Sequence, residues 1–334
     1  MSTNANPNEG EIDETLAHRI KNLMEEAEWA KAGELIEPLL ASPLRDAKIL
    51  SLAITCFRNA QSIEKLDKVY ANIAHLSNID AGTKYITNGL PFIGRDTINP
   101  HSEYVFVSGA PRSGTTSFGR ILNLHKDVAM LTERYTPYFG YHPDMFLDKN
   151  IFSPGYQSHR HASKMDKLKP KLRKARWVGD KRPNFAFGAA ITNANFAGNE
   201  LRIFHIQRDI KDVCWSYEGK KKRSLDEWSY QQACFDYNYN NRALNKVLSN
   251  THPGIQIFTV DYKLLHTNVD YALRVFDKLG LETNMVFKNR VSKYIAESYK
   301  VLGKIRNLSL EMNQYIEENT DWAAENALKK VSLS

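Results

Sequence analysis

The residue types with most chemistry to offer stand at Arg112, Glu133, Lys181, Arg208 and Ser216, and along residues 109–117, GAPRSGTTS. In that stretch Gly109 and Gly114 enclose four residues. This is the spacing of a loop that wraps a phosphate with backbone N–H groups and the N-terminus of the following helix. The lysine that nucleoside triphosphate hydrolases set against the β/γ-phosphates is missing: Thr115 holds its place and Thr116 the Ser/Thr place after it. Arg112, inside the loop, is the substitute cation. Arg208 and Ser216 stand eight residues apart. Alone that spacing carries little, though a guanidinium can give a forked, charge-assisted contact to a phosphate and a hydroxyl can add a neutral donor. Glu133 is a candidate proton acceptor.

The elements that must position these residues read as strands that end where the chemistry begins. Val105, Phe106 and Val107 form a β-branched and aromatic run that breaks into Gly, Pro, Arg, Ser and Gly. A helix from Thr115 to about Leu124 follows. Val128 to Leu131 is a short strand whose exit is Thr132-Glu133-Arg134. In an open parallel sheet ligands bind at the carboxyl ends of strands, so Glu133 is expected in the cleft of the phosphate loop. Lys181 sits at the exit of a strand beginning near Trp177. Leu201 to Gln207 reads as a central strand ending at Arg208-Asp209, with Asp209 capping a helix through Val213, Trp215, Ser216 and Tyr217. Ile255 to Val260 is a further strand, and a helix from Val269 to Leu279 closes at Gly280. The expected fold is α/β, a P-loop-type parallel sheet flanked by helices.

Pro111 to Thr116, PRSGTT, matches letter for letter the 5′-phosphosulfate loop of the sulfotransferases that use 3′-phosphoadenosine 5′-phosphosulfate (PAPS), and the chain resembles that family from about Tyr104 to Leu281. The resemblance implies PAPS as donor co-substrate without a metal. Arg112, Ser113, Gly114, Thr115, Thr116 and Ser117 would hold its 5′ end, and Arg208 with Ser216 would hold its 3′-phosphate. Carbohydrate and tyrosylprotein sulfotransferases place a glutamate after the second strand as general base, a role that falls here on Glu133. Asp180-Lys181-Arg182-Pro183 resembles the G-[DE]-K-x-P element of heparan-type enzymes. It makes Lys181, with Arg112, the catalytic cations beside the transferred group. Read without the resemblance, Glu133 is a loop charge beside Arg134, and Lys181 is half of a surface pair with Asp180. His125, His142 and His205 are rival bases: the first lies before its strand, the second in an irregular segment, the third inside a buried strand.

Composition bounds the rest. With 42% hydrophobic and 25% charged residues the chain has the make-up of a globular protein, and a net charge of +7 favours anionic partners. Ten cationic or histidine residues crowd between His159 and Arg176, either as a solvated helical face or as a lid for an acidic acceptor. The acceptor expected first is a hydroxyl on a carbohydrate, such as an acidic polysaccharide, or on a glycolipid. Tyrosylprotein sulfation is the alternative, a P-loop kinase or NTPase stands behind it, and nucleic acid is not expected as a partner. Cys56, Cys214 and Cys234 lack metal-site spacing and suggest a reducing, cytoplasmic setting, with no signal peptide or transmembrane segment. From Ile12 to about Ser77 apolar residues recur at helical spacing as four helices, with breaks expected at Ala32-Gly33, Ser42-Pro43 and Asn59–Ser62. They loosely resemble tetratricopeptide-type hairpins and form a bracing unit or a protein-docking unit. The expected organisation is a helical extension and linker over residues 1–98 and a catalytic domain over 99–334.

Overall fold

The computed structural model describes residues 14–41, 47–79, 103–135, 140–147, 151, 168–221, 228–302 and 307–333. Two units are present, Met1–Phe92 and Ile93–Ser334. The expected boundary between residues 98 and 99 lies outside the described residues.

In the first unit the helical periodicity yields α1 (Glu14–Glu25), α2 (Trp29–Ile36), α3 (Ala47–Asn59) and α4 (Ile63–Ile79). Ile20, Ile36, Ala53, Phe57, Leu66 and Val69 are buried between them. The Ala32-Gly33 break does not occur. Gly33 lies inside α2, where a Cβ would stand 2.8 Å from the Phe57 ring, so this glycine admits a close helix–helix approach. The chain turns earlier, at Ala27 (φ 57°), and again at Gln61 (φ 54°) in the expected 59–62 break. Ser42-Pro43 lies outside the described residues.

The second unit is built on a five-stranded parallel sheet. Its elements in chain order are β1 (Glu103–Ser108), α5 (Thr115–Leu122), β2 (Val128–Thr132), β3 (Trp177–Lys181), α6 (Ala189–Asn195), β4 (Glu200–Gln207), α7 (Ile210–Lys221), α8 (Tyr230–Leu248), β5 (Ile255–Asp261), a one-turn α9 (Tyr262–Leu265), α10 (Val269–Lys278), α11 (Met285–Leu302), α12 (Leu310–Asn319) and α13 (Trp322–Lys329). The strand order is β2-β3-β1-β4-β5. Every pairing is parallel. A parallel sheet is covered on both faces, and the central strand shows it. Val105 and Val107 pack on one side with Phe118, Ile121, Phe204 and Ile206. Tyr104 and Phe106 point to the other, where Phe106 stacks on Tyr141 at 4.4 Å and meets Phe196 edge-on at 5.4 Å. Each such ring contributes about 1.5–3 kcal/mol by leaving water. Gly179 is obligatory for close packing, because a Cβ there would overlap the Val105 carbonyl of the neighbouring strand. The order places β1 between β3 and β4, so the chain leaves β1 at the topological switch point, where the carboxyl-end crevice of an open α/β sheet lies.

Candidate functional site

The loop between β1 and α5 carries two backbone conformations that serve its shape. Gly109 (φ 154°) and Gly114 (φ 105°) lie in glycine-favouring territory, and Arg112 adopts a left-handed φ of 68°. A Cβ on Gly109 would stand 2.5 Å from Ser113 Oγ, and one on Gly114 would overlap the Tyr262 ring, so neither position has room for a side chain. Ser113 is fully buried, and its Oγ finds no hydrogen-bond partner among the described residues. A side-chain-free cradle, an orphaned hydroxyl and the first-turn N–H groups of α5 together make a fitting seat for a phosphate or phosphosulfate. The helix ends at Leu122, two residues before the sequence expectation. Ser117, at the loop's far end, shares a 3.1 Å hydrogen bond with the Tyr294 hydroxyl of α11.

The two elements expected from the sequence to bind anions meet. Arg112 Nε donates to Ser216 Oγ at 3.0 Å, and Arg208 Nη1 donates to the Arg112 carbonyl at 3.0 Å. Arg208 leaves the carboxyl end of β4 and Arg112 that of the adjacent β1, so the contact follows from strand pairing across Ser108 and His205. Asp209 Oδ1 accepts from Lys211 N at 2.8 Å and starts α7, which brings Ser216 round to face Arg112. The Arg208 side chain is 8% exposed; it lies 4.5 Å over the Tyr262 ring and 3.3 Å from Asp212 Oδ2. His266, packed edge-on to Tyr262 and buried, has neither ring nitrogen bonded among the described residues; burial, with the Arg208 charge, lowers its pKa to about 4.

A second cluster lies at the ends of β2 and β3. Lys181 Nζ and Glu133 Oε1 form an ion pair, and Glu133 N donates to the Lys181 carbonyl at 2.9 Å. The Lys181 side chain is 2% exposed and the Glu133 side chain 35%, so the pair opens to solvent on its carboxylate side. Gly119 of α5 makes room for the lysine stem: a Cβ there would lie 3.3 Å from Lys181 Cγ. Glu133 is left-handed, at φ 53°. Behind it Asp180 is fully buried, and burial lifts its carboxyl to about 6 against its hydrogen bonds. The two clusters are tied together by the backbone: Arg182 N donates to the Val107 carbonyl and Asn184 N to the Gly109 carbonyl, both at 3.0 Å.

The three histidines that rival Glu133 are engaged with partners of their own. His125 precedes β2 at the sheet's amino end, where Asp127 N donates to its Nδ1 at 3.2 Å and its Nε2 lies 3.2 Å from the Glu282 carbonyl. His142 accepts from Asp144 N at 3.2 Å. His205 is buried between Ser108 Oγ and Asn241 Oδ1, and burial lowers its pKa to about 4. The described part of the basic segment, 168–176, also stands away from the loop, because it enters β3 at its amino end. Arg176 pairs with Glu103 at 2.7 Å and donates to the Gly280 carbonyl at 3.0 Å, while Lys171 donates to the Asn123 carbonyl at 2.7 Å. Positions 152–167 lie outside the described residues. Among the described residues no group of His, Cys, Asp and Glu is arranged to hold a metal, and no helix is long and apolar enough to cross a membrane.

Residues 104–285 match the family model described as "Sulfotransferase family". The chain belongs to the sulfotransferase family. It is therefore an enzyme, a sulfotransferase, and its matched span runs from β1 to the start of α11, enclosing both clusters. Solved structures similar to this sulfotransferase include mouse sulfotransferase SULT7A1 complexed with PAP (12% identity, 70% of this chain and 89% of that one, TM-score 0.43). Sulfotransferase STF1 from Mycobacterium tuberculosis H37Rv is another (12% identity, 97% and 100%, TM-score 0.41). The sulfotransferase domain from the curacin biosynthetic pathway is a third (14% identity, 65% and 96%, TM-score 0.38). No curated protein matches the chain in sequence.

Sequence reasoning missed Tyr262, Tyr294 and Asp212 as neighbours of the site, and offered Asp180 only as a surface partner of Lys181, whereas it is buried and hydrogen-bonded to Arg134 N, Tyr135 N and the Tyr141 hydroxyl. Tyr262 follows the carboxyl end of β5, so the strand-exit rule that selected Glu133 and Arg208 selects it too. Tyr294 sits in mid-helix 177 residues from Ser117 and carries no local signal.

Proposed function

We propose that this sulfotransferase moves the sulfuryl group of PAPS to a hydroxyl, most fittingly on a carbohydrate or glycolipid. The observation that carries the proposal is the direct linkage Arg208–Arg112–Ser216, which joins two anion-binding elements at neighbouring strand ends, next to the Glu133–Lys181 pair. In this reading PAPS supplies the sulfuryl group and a phosphate leaving group, and the chain's own residues do the following. The loop 112–117 binds the donor's 5′ end with backbone N–H groups and the orphaned Ser113 hydroxyl. Arg208, held by Asp212 and by the face of Tyr262, receives the 3′-phosphate together with Ser216. Glu133, on the open side of its ion pair, takes the acceptor's hydroxyl proton. The pair thereby loses its anion, and the buried Lys181 ammonium is left to face the negative charge that develops on the transferred group and its leaving phosphate.

A carboxylate base suits an alcohol, a poor nucleophile until its proton is removed. The net charge of +7 supports an anionic donor or acceptor. The described half of the basic segment does not add to this, since the contacts of Arg176 with Glu103 and the Gly280 carbonyl, and of Lys171 with the Asn123 carbonyl, lie at the other end of the sheet. The three cysteines are free thiols, which supports a reducing, cytoplasmic setting. The test is transfer of labelled sulfuryl from PAPS, with chelator present, to a panel of acidic glycans, glycolipids and tyrosine peptides. Labelled glycan or glycolipid supports the reading; exclusive labelling of the tyrosine peptide makes the protein a tyrosylprotein-type enzyme.

A further inference from the structure

Glu133 holds a backbone conformation that a glutamate avoids on its own, so something must impose it. The left-handed φ of 53° is disfavoured for a side chain bearing a Cβ and persists only where surrounding contacts overrule it. Besides Glu133's own bonds to Lys181, the turn that follows it is held on one atom. Asp180 Oδ2 accepts from Arg134 N at 2.9 Å, from Tyr135 N at 3.3 Å and from the Tyr141 hydroxyl at 3.1 Å. Asp180 itself is fully buried in β3, one residue before Lys181, and its Oδ1 finds no hydrogen-bond partner among the described residues. Three donors on one oxygen call for a carboxylate. An amide there would offer a weaker acceptor to the same three groups.

We propose that Asp180 is a positioning residue for sulfuryl transfer: through Oδ2 it locks the turn 133–135, so that Glu133 is held against Lys181 and faces the acceptor. The proposal rests on the reading of Glu133 as the base. The charged and titratable groups around Asp180 are Lys181 and Arg182 on its own strand exit, Arg134 and Tyr135 on the turn, and Tyr141 across from it. Burial opposes the carboxylate and prevails over the hydrogen bonds from Tyr135 and Tyr141 and the charges of Lys181 and Arg182, placing its titration at about 6. Protonation of Asp180 therefore weakens the lock as pH falls through that value.

The experiment is a double-mutant cycle of Asp180→Asn and Glu133→Gln, read as kcat, as kcat against pH and as the Kd for adenosine 3′,5′-bisphosphate. Asp180→Asn is expected to lower kcat by about 10²-fold, the scale of an ångström's misplacement of a catalytic group. Bisphosphate affinity should stay unchanged, and the acid limb near 6 should disappear. In the Glu133→Gln background the same substitution should cost little further, because its effect runs through Glu133. Tyr141→Phe, which keeps the packing and removes one donor to Oδ2, should move the acid limb to higher pH. That variant keeps the test alive if Asp180→Asn does not fold. The proposal is overturned if Asp180→Asn leaves kcat and the acid limb intact, if the two losses multiply in the double variant, or if Tyr141→Phe leaves the limb in place. Retained turnover in Glu133→Gln alone would instead overturn the base assignment on which the proposal stands.

Discussion

The two ends of one sheet treat their polar residues in opposite ways. At the amino end each notable polar side chain is committed to a fixed partner. Arg176 is bidentate to Glu103, Trp177 Nε1 donates to the Leu279 carbonyl at 2.9 Å, and Asn123 satisfies both backbone groups of Met130. At the carboxyl end, Arg112, Glu133 and Asn184 all hold left-handed backbone, and Ser113, Asp180 and His266 bury polar atoms without a partner among the described residues. Strain and unmet hydrogen bonding cost stability and are retained where a ligand or a reaction uses them. The same strands and hydrophobic core support both ends, and the proposed function is what gives the difference a reason.

The largest effect that would break this comparison falls on Glu133. Glu133→Gln keeps shape and removes basicity, so kcat should fall by about 10²–10⁴-fold while bisphosphate binding persists. His125→Ala, at the other end, should leave the chemistry alone. If turnover survives the first and is lost in the second, the base lies at the wrong end of the sheet. Arg208→Ala should weaken bisphosphate binding by about 2–5 kcal/mol, the cost of truncating one member of a buried charged contact. Lys181→Ala should act on kcat rather than on the donor's KM; a pure KM effect would make Lys181 a binding residue only.

A smaller effect tests the cost of the functional end. Burial raises Asp180 from 3.8 to about 6. Its contribution to stability is full below the unfolded value and is lost as pH rises through about 6. That rise corresponds to about 3 kcal/mol of cost at neutral pH. The Tm of the wild type relative to Asp180→Asn should therefore rise as pH is lowered from 7 to 4.5. A pH-independent difference would mean that the carboxylate is not buried at a cost. The smallest effect belongs to the amino end. Arg176 is half-exposed, so Arg176→Ala should cost about 1 kcal/mol or less in a denaturant titration and leave kcat and bisphosphate affinity unchanged.

The sequence made the β1–loop–α5 unit readable because each of its signals is local: an apolar run, two glycines at fixed spacing and a polar helix start. Asp209 as the start of α7 was readable for the same reason, whereas Arg208 and Ser216 stood out only through the family pattern, since that spacing alone carries little. Glu133 and Lys181 were legible only as strand exits in a family pattern, and their pairing depends on β2 and β3 lying side by side with a segment of more than forty residues between them. The tyrosines that brace the loop, and the three donors on Asp180, come from distant segments whose types are unremarkable where they stand. Gly33 misled in the other direction: a glycine that reads as a helix break serves instead as a seat for the Phe57 ring. The basic run stayed open between a solvated face and a lid, because charge density says nothing about which end of a strand the chain is approaching.

The central claim, that the carboxyl end of this sheet binds a bisphosphate nucleotide for sulfuryl transfer, is tested most directly by calorimetric titration of the full chain with adenosine 3′,5′-bisphosphate in the presence of a chelator. The account predicts saturable binding at one site per chain without Mg²⁺, weakened in Arg208→Ala. Heat only when Mg²⁺ and ATP are supplied, or identical affinity in Arg208→Ala, would contradict it.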